Sequence, residues 1–461
     1  MQNFWDFSVW GGFSVVVILL GSLLIANVLK KCIPFLRDSL IPSSVLGGLL
    51  LLIVASIYKG LTGEIMYDAE FFNGNGSAVL EIITYHALAL GFIASSLKTS
   101  KNKMSKKRTK EIFDSGVTTV STYLLQAILG LVVTIIAGLI LSDFFFAGGV
   151  LLPFGYGQGT GQAMNYGIKY EALGFTGGKD FGLTIAALGF LSAAIGGVIH
   201  LNIMKKKGKI KILTPEEKNK LNTEEIENSN EIPMQESIDK FTIQIAIIAV
   251  CYAIAYGVMA GLSTLLPNMS NTIFGFNFLL GVLAAVLVKS ILRLLKKGNI
   301  VKKEYTNNFL LTRASNFFFD IMVVAGIAVI RLDMIEKYWG VLAILGVVGL
   351  VATYAYNRLI AKTLFGEYVE EQFLAMYGML TGTASTGVIL LREIDGDFKT
   401  PASDNLVYQS LPAIVFGFPM MLLADLAPYH PYITLIILVA FFAVMNLILF
   451  RSKIFKKKNK K

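Results

Sequence analysis

The chain has 461 residues, 54% of them hydrophobic and 16% charged, with a mean hydropathy of +0.64 and a formal net charge of +10. A soluble domain carries roughly a quarter charged residues, so this composition points to an integral membrane protein and excludes an ordinary soluble enzyme or binding domain. Two distant cysteines, Cys32 and Cys251, and three histidines (His86, His200, His430) without ligand spacing argue against a disulfide framework and a transition-metal site.

Apolar runs of about 18 to 26 residues are long enough to cross a hydrocarbon core of roughly 30 Å as helices. They predict spans at 8–29, 41–59, 78–97, 115–141 and 181–204 in the first half. The second half adds 241–266, 273–295, 316–332, 339–361, 405–427 and 431–450, which makes the fold an all-α polytopic membrane protein of about eleven spans. No basic region or small-residue cleavage site accompanies the first span, so it is expected to be retained.

Charge orients these spans. Basic residues gather at Lys30-Lys31, from Lys98 to Lys110, from Lys205 to Lys209, from Lys296 to Lys303 and from Arg451 to Lys461. With the N-terminus outside, every one of these clusters falls on the cytoplasmic side, as the positive-inside rule requires. The lysines then set orientation and touch anionic lipid, and nucleic acid is not needed to explain the net charge. The expected location is the plasma membrane, with the C-terminus and central linker cytoplasmic.

Five spans fill residues 1–204. A polar stretch at 205–240, first basic and then acidic (Glu216, Glu217, Glu224, Glu225, Glu227), reads as a cytoplasmic linker. Five more spans fill 241–427, and an odd number per repeat inserts the second set upside down. Residues 428–461 supply one extra helix and a basic tail.

Each half carries a glycine-rich sentence late in its course. Gly155-Tyr156-Gly157-Gln158-Gly159-Thr160-Gly161-Gln162 is matched 223 residues later by Gly378-Met379-Leu380-Thr381-Gly382-Thr383-Ala384-Ser385. Glycine at alternate positions spoils a helix, and unwound backbone at membrane depth must line protein or a hydrated cavity. The first loop leaves and returns outside, past Ser142-Asp143, and the second leaves and returns in the cytoplasm. Both are therefore expected to be re-entrant hairpins, near 145–168 and 368–393, whose tips approach one site. Half-helix N-termini suit a carboxylate, and freed carbonyls with hydroxyls suit a hard cation such as Na⁺.

Substrate contacts are accordingly expected from Gly157, Gln158, Gly159, Thr160, Gly161, Gln162, Thr381, Gly382, Thr383 and Arg392. Na⁺ ligands are expected among Thr383, Ser385, Thr386, Gly91, Gly326 and Asp320, with no other cofactor. Gly91 and Gly326 lie in similar contexts near the ends of the third and eighth spans. Of the ionisable residues inside spans, Asp320 and His86 are pathway candidates. Glu81 and Asp425 lie close enough to an interface to snorkel. Gln126, Gln409 and Asn202 read as hydrogen-bonding partners between helices. Gly155-x-Gly157 is not a nucleotide loop, since no Lys-Ser/Thr and no βαβ unit accompany it.

These residues resemble the sodium/glutamate symporter family. The likeness runs from Ile41-Pro42 through the tenth span. It is most specific at Ile41-Pro42-Ser43-Ser44-Val45-Leu46-Gly47-Gly48, at the G-x-G-T-G core of the first loop, and at Ile195-Gly196-Gly197-Val198. The resemblance implies two inverted five-helix repeats with re-entrant loops, a homodimer, and Na⁺-driven uptake of a dicarboxylic amino acid by alternating access. Better-known members carry histidine where this loop has Gln158, and the eleventh span and lysine tail are extra.

The leading expectation is Na⁺-coupled symport of glutamate or a related carboxylate. A proton-coupled or antiport carrier of another carboxylate, using Asp320 or His86, is the alternative within transport, and a channel is the alternative outside it. No H-E-x-x-H and no G-x-S-x-G with triad partners supports an enzyme.

Overall fold

A computed structural model describes residues 3–38, 40–98, 105–141, 144–212, 231–233, 237–396 and 399–454. The expected outer turn at Ser142-Asp143, most of the linker and the end of the lysine tail lie outside the described residues. The first half forms α1 (Phe7–Cys32), a short α2 (Pro34–Asp38), α3 (Ser43–Thr62), α4 (Gly76–Leu97), α5 (Lys106–Ile140), α6 (Leu151–Gln158), α7 (Thr160–Ala172) and α8 (Gly178–Lys206). The second half forms α9 (Lys240–Leu265), α10 (Ser270–Gly275), α11 (Asn277–Lys297), α12 (Asn308–Ala328), α13 (Trp339–Leu364), α14 (Val369–Thr381) and α15 (Ala384–Arg392). It ends with α16 (Ala402–Tyr408), α17 (Ser410–Leu426) and α18 (Pro431–Ile454).

Local chemistry marks the helix ends. Ser105 Oγ accepts from Arg108 N at the start of α5, and Asp239 Oδ1 accepts from Phe241 N at the start of α9. Gly63 closes α3 in the left-handed region, with φ +77°.

Ten helices among the described residues are long and apolar enough to cross a membrane. The span expected at 405–427 is not one of them. It is divided at Gln409 into α16 and α17, leaving a shorter apolar helix over Pro412–Leu426. Pro412 has no N–H for the Tyr408 carbonyl four residues earlier, so the ladder loses a bond where the division falls.

The chain forms two compact units, each drawing on both halves. The first takes Met1–Leu20, Tyr67–Lys103 and Asn222–Ala325; the second takes Gly21–Met66, Met104–Leu221 and Gly326–Lys461. In the first unit, α4, α9, α11 and α12 meet around Ile93, Ala94, Ile248, Cys251, Ala255, Ala284, Leu311 and Ala314. The alanines permit the close helix approach on which packing in lipid depends. Glu231, at the end of the expected linker, is buried here. Its carboxylate accepts from Lys240 Nζ (2.9 Å) and Asn307 Nδ2 (2.6 Å).

In the second unit, α8 is the inner helix: 72% of its most apolar window is buried, against 22% for α3 and α18. Helix α5 runs through the same unit and meets the segment before α6 backbone to backbone. A Cβ on Gly130 would stand 2.1 Å from the Gly149 carbonyl oxygen. Gly130→Ala is therefore expected to lower stability by about 1–3 kcal/mol, seen as a lower melting temperature of the purified protein.

Candidate functional site

Both glycine sentences form a helix, a break and a helix. In the first, α6 ends at Gln158 and α7 begins at Thr160. Gly159 between them has φ +79° and ψ −169°, which belong essentially to glycine. The arms fold back on each other, with the Phe154 and Tyr166 rings stacked 4.0 Å apart between centroids. In the second, α14 ends at Thr381, and α15 begins at Ala384 after Gly382 and Thr383. Here a Cβ on Gly378 would lie 2.8 Å from Gly387 Cα, so glycine is what lets these arms touch. Thr383 N donates to Thr386 Oγ1 at 3.4 Å, closing the start of α15.

A helix that stops leaves carbonyls without intrahelical partners. Two of these are held by α5. Tyr123 OH donates to Gly157 O (2.9 Å), and Gln126 Nε2 donates to Leu380 O (2.9 Å). Gly157 and Leu380 are the next-to-last residues of α6 and α14, and they occupy equivalent positions in the two glycine sentences. Tyr123 and Gln126 are three residues apart and so share one face of α5. One helix face thus holds the same carbonyl of both breaks.

Helix α8 joins the breaks from another side. A Cβ on Gly189 would lie 2.5 Å from Thr381 O and 3.1 Å from Tyr156. Tyr156 OH bonds Ser192 Oγ (2.8 Å) on α8 and donates to Gly346 O (2.6 Å) on α13. Tyr377, in the second hairpin, donates to Ser192 O at 2.7 Å. Thr160, Gln162 and Thr381 are fully buried, and Thr386 is nearly so. No residue from 151 to 166 or from 376 to 391 carries a charge, so the tips act through backbone, hydroxyl and amide groups.

The bases of the hairpins are anchored by charge. Lys169 Nζ meets Asp425 Oδ1 at 3.0 Å and lies over the Tyr166 ring, while Tyr166 and Tyr170 donate to carbonyls of α17. In the second hairpin, Glu370 receives both Arg358 guanidinium nitrogens at 2.7 Å and His200 Nε2 at 2.9 Å.

The expected site residues divide between the units. Gly157 to Gln162 and Thr381 to Thr386 share the second unit, although the Ser385 side chain lies outside the described residues. Gly326 joins them at the first tip, where a Cβ on it would lie 2.5 Å from Thr160 Cβ. Arg392 is half-buried at the end of α15. Gly91 and Asp320 belong to the first unit, and Gly91 O there accepts from Ser315 Oγ at 3.0 Å. His86 is in that unit too, with Nδ1 2.7 Å from Tyr252 OH. Asp425 is ion-paired with Lys169, which gives it a partner that snorkelling does not require.

Sequence reasoning passed over Tyr123, Tyr156 and Thr353; Gln126, expected as a hydrogen-bonding partner between helices, has that role and holds the second break. The available signal was the polar run Ser115, Thr118, Thr119, Ser121, Thr122, Tyr123 and Gln126 inside an otherwise apolar span.

No curated protein matches the chain. A family model described as sodium/glutamate symporter matches residues 11–388, a stretch that includes both helix breaks and the face of α5 that holds them. That match takes in most of the chain, which belongs to the sodium/glutamate symporter family.

Proposed function

We propose that this chain imports glutamate or a closely related carboxylate together with Na⁺ by alternating access, the two hairpins forming the site between them. Family membership supplies the transporter class, the coupling ion and the solute. The observation that carries the reading is the matched pinning of Gly157 O and Leu380 O by Tyr123 and Gln126. Two equivalent breaks held on one helix are what a duplicated site requires. The carboxylates are received by the N-terminal amides of α7 and α15, beside Gln158, Thr160, Gln162 and Thr383, with Arg392 as a further anion partner. Oxygen groups at the breaks receive the cation.

In this reading, residues 1–204 and 241–427 are inverted repeats and the hairpins are re-entrant from opposite sides. The N-terminus is outside, the protein works as a homodimer in contact with membrane lipid, and no cofactor beyond the coupling ion is needed. The proton carriers of the alternative reading, Asp320 and His86, both belong to the first unit, whereas both hairpins belong to the second.

Proteoliposomes test this directly. Labelled glutamate is expected to accumulate against its gradient when Na⁺ is high outside, and to stop doing so when K⁺ replaces Na⁺. Equilibration of glutamate at the same rate without sodium would remove the symport part.

A further inference from the structure

The polar face of α5 is rich in acceptors and short of donors. Thr118 and Thr122 each spend their hydroxyl proton on the carbonyl four residues earlier, at 2.7 and 2.8 Å. Only their lone pairs remain to face neighbours. Opposite them on α13 stand Thr353 and Asn357, one turn apart and fully or almost fully buried.

The two amides here are fixed by their nitrogens. Gln126 Nε2 donates to Leu380 O and to Thr353 Oγ1 (2.8 Å). Asn357 Nδ2 donates to Thr353 O (2.9 Å) and lies 3.4 Å from Thr122 Oγ1. Leu380 O and Thr353 O are carbonyls, which can only accept. Flipping either amide would set oxygen against oxygen, so the assignment of nitrogen and oxygen is forced. Gln126 Oε1 and Asn357 Oδ1 are then left over: both are buried, and neither receives a hydrogen bond among the described residues. Buried polar atoms in folded proteins are nearly always satisfied.

We propose that a sodium ion binds between α5 and α13 beneath the second break, held by Gln126 Oε1, Asn357 Oδ1 and the lone pairs of Thr122 and Thr353. Neutral oxygens are the ligands a hard cation takes. The C-terminal end of α14, whose Leu380 carbonyl touches Gln126, adds partial negative charge to the same place. A sodium ion there completes the polar cluster that Gln126 links to the second break, so its arrival stabilises the hairpin in its broken form. This position differs from the one expected on Thr383, Ser385 and Thr386.

The proposal rests on Na⁺ coupling, and its test separates the two. Melting temperature of the purified protein is followed against NaCl, with KCl holding ionic strength constant and no substrate present. Wild type is expected to show a saturable, sodium-specific rise. Asn357→Leu, similarly branched, bulkier and free of polar atoms, is expected to stay folded in KCl and to lose the sodium response. Asn357→Ala is expected to raise the half-saturating sodium concentration by about tenfold or more, the scale on which loss of a metal-site partner is felt.

Asn446→Ala is the control, because Asn446 makes the same bond to the carbonyl four residues earlier while its own oxygen already accepts from Tyr356 OH. It is expected to leave the response unchanged. A wild type indifferent to sodium over potassium would sink the coupling reading itself. A normal wild-type response retained by both Asn357 variants would sink this site alone, and would assign the leftover oxygens to water.

Discussion

Arg358→Ala is expected to destabilise the purified protein by roughly 3–5 kcal/mol, with Arg358→Met plus Glu370→Leu recovering most of that loss. Arg358 and Glu370 side chains are each only 12% exposed, and the guanidinium grips both carboxylate oxygens at 2.7 Å. Removing the arginine leaves a buried carboxylate with His200 Nε2 as its remaining side-chain partner at 2.9 Å. His200 is itself held, since Tyr354 OH stands 2.9 Å from Nδ1. The neutral tautomer that satisfies both contacts carries its proton on Nε2 and accepts at Nδ1.

Deleting one ion of a buried pair strands the other charge, whereas apolar residues at both positions strand no charge and leave only the His200 Nε2 proton without its acceptor. A double-mutant cycle on melting temperature separates these cases. Equal losses in the single and double variants would show that the pair contributes through packing and not through charge. The pair also ties the first arm of the second hairpin to α8 and α13. Glutamate uptake by Arg358→Ala is therefore expected to fall further than its residual folded fraction accounts for.

Little of this clamp was visible in advance. Arg358 reads as the basic end of a span, Glu370 as a loop acid and His200 as one of three scattered histidines. Arg358 and Glu370 are 12 residues apart, but His200 reaches Glu370 across 170, which no local pattern encodes. The spans were legible because each is a long apolar run, and a hydrocarbon core admits few other structures. The first break was legible for the opposite reason: alternating glycines from Gly155 to Gly161 weaken a helix, although only Gly159 leaves it and the other three stay helical.

Hydropathy averages concealed the division at Gln409, although Pro412 was in plain view. The role of α5 was half legible. A run of threonines and serines with Gln126 in an apolar span announces a polar face, but the carbonyl that Gln126 finds is 254 residues away. The surplus of acceptors depends on where the Thr118 and Thr122 hydroxyl protons go, which no sequence pattern encodes.

Gly159→Ala carries the sharpest expectation for transport. At φ +79° and ψ −169° an alanine is strained by about 1–3 kcal/mol, roughly a 5- to 150-fold factor in any equilibrium that needs the broken conformation. Alanine also favours helix, so the substitution pushes α6 and α7 towards a continuous rod. That rod would take back the carbonyl Gly157 gives to Tyr123 OH and the amides at the start of α7 that the proposed site offers to a carboxylate.

Initial rates of sodium-driven glutamate uptake are expected to fall at least about tenfold, within the range that strain implies. Gly63→Ala separates this from loss of stability. Gly63 also has positive φ, at +77°, but it caps α3 and has nothing within 4 Å of where a Cβ would stand. Its alanine variant is expected to lose a comparable amount of stability while transporting at close to the wild-type rate per folded molecule. Equal transport by the two variants would mean that the break at Gly159 is a packing accommodation, and the site would then have to be built from the second hairpin alone.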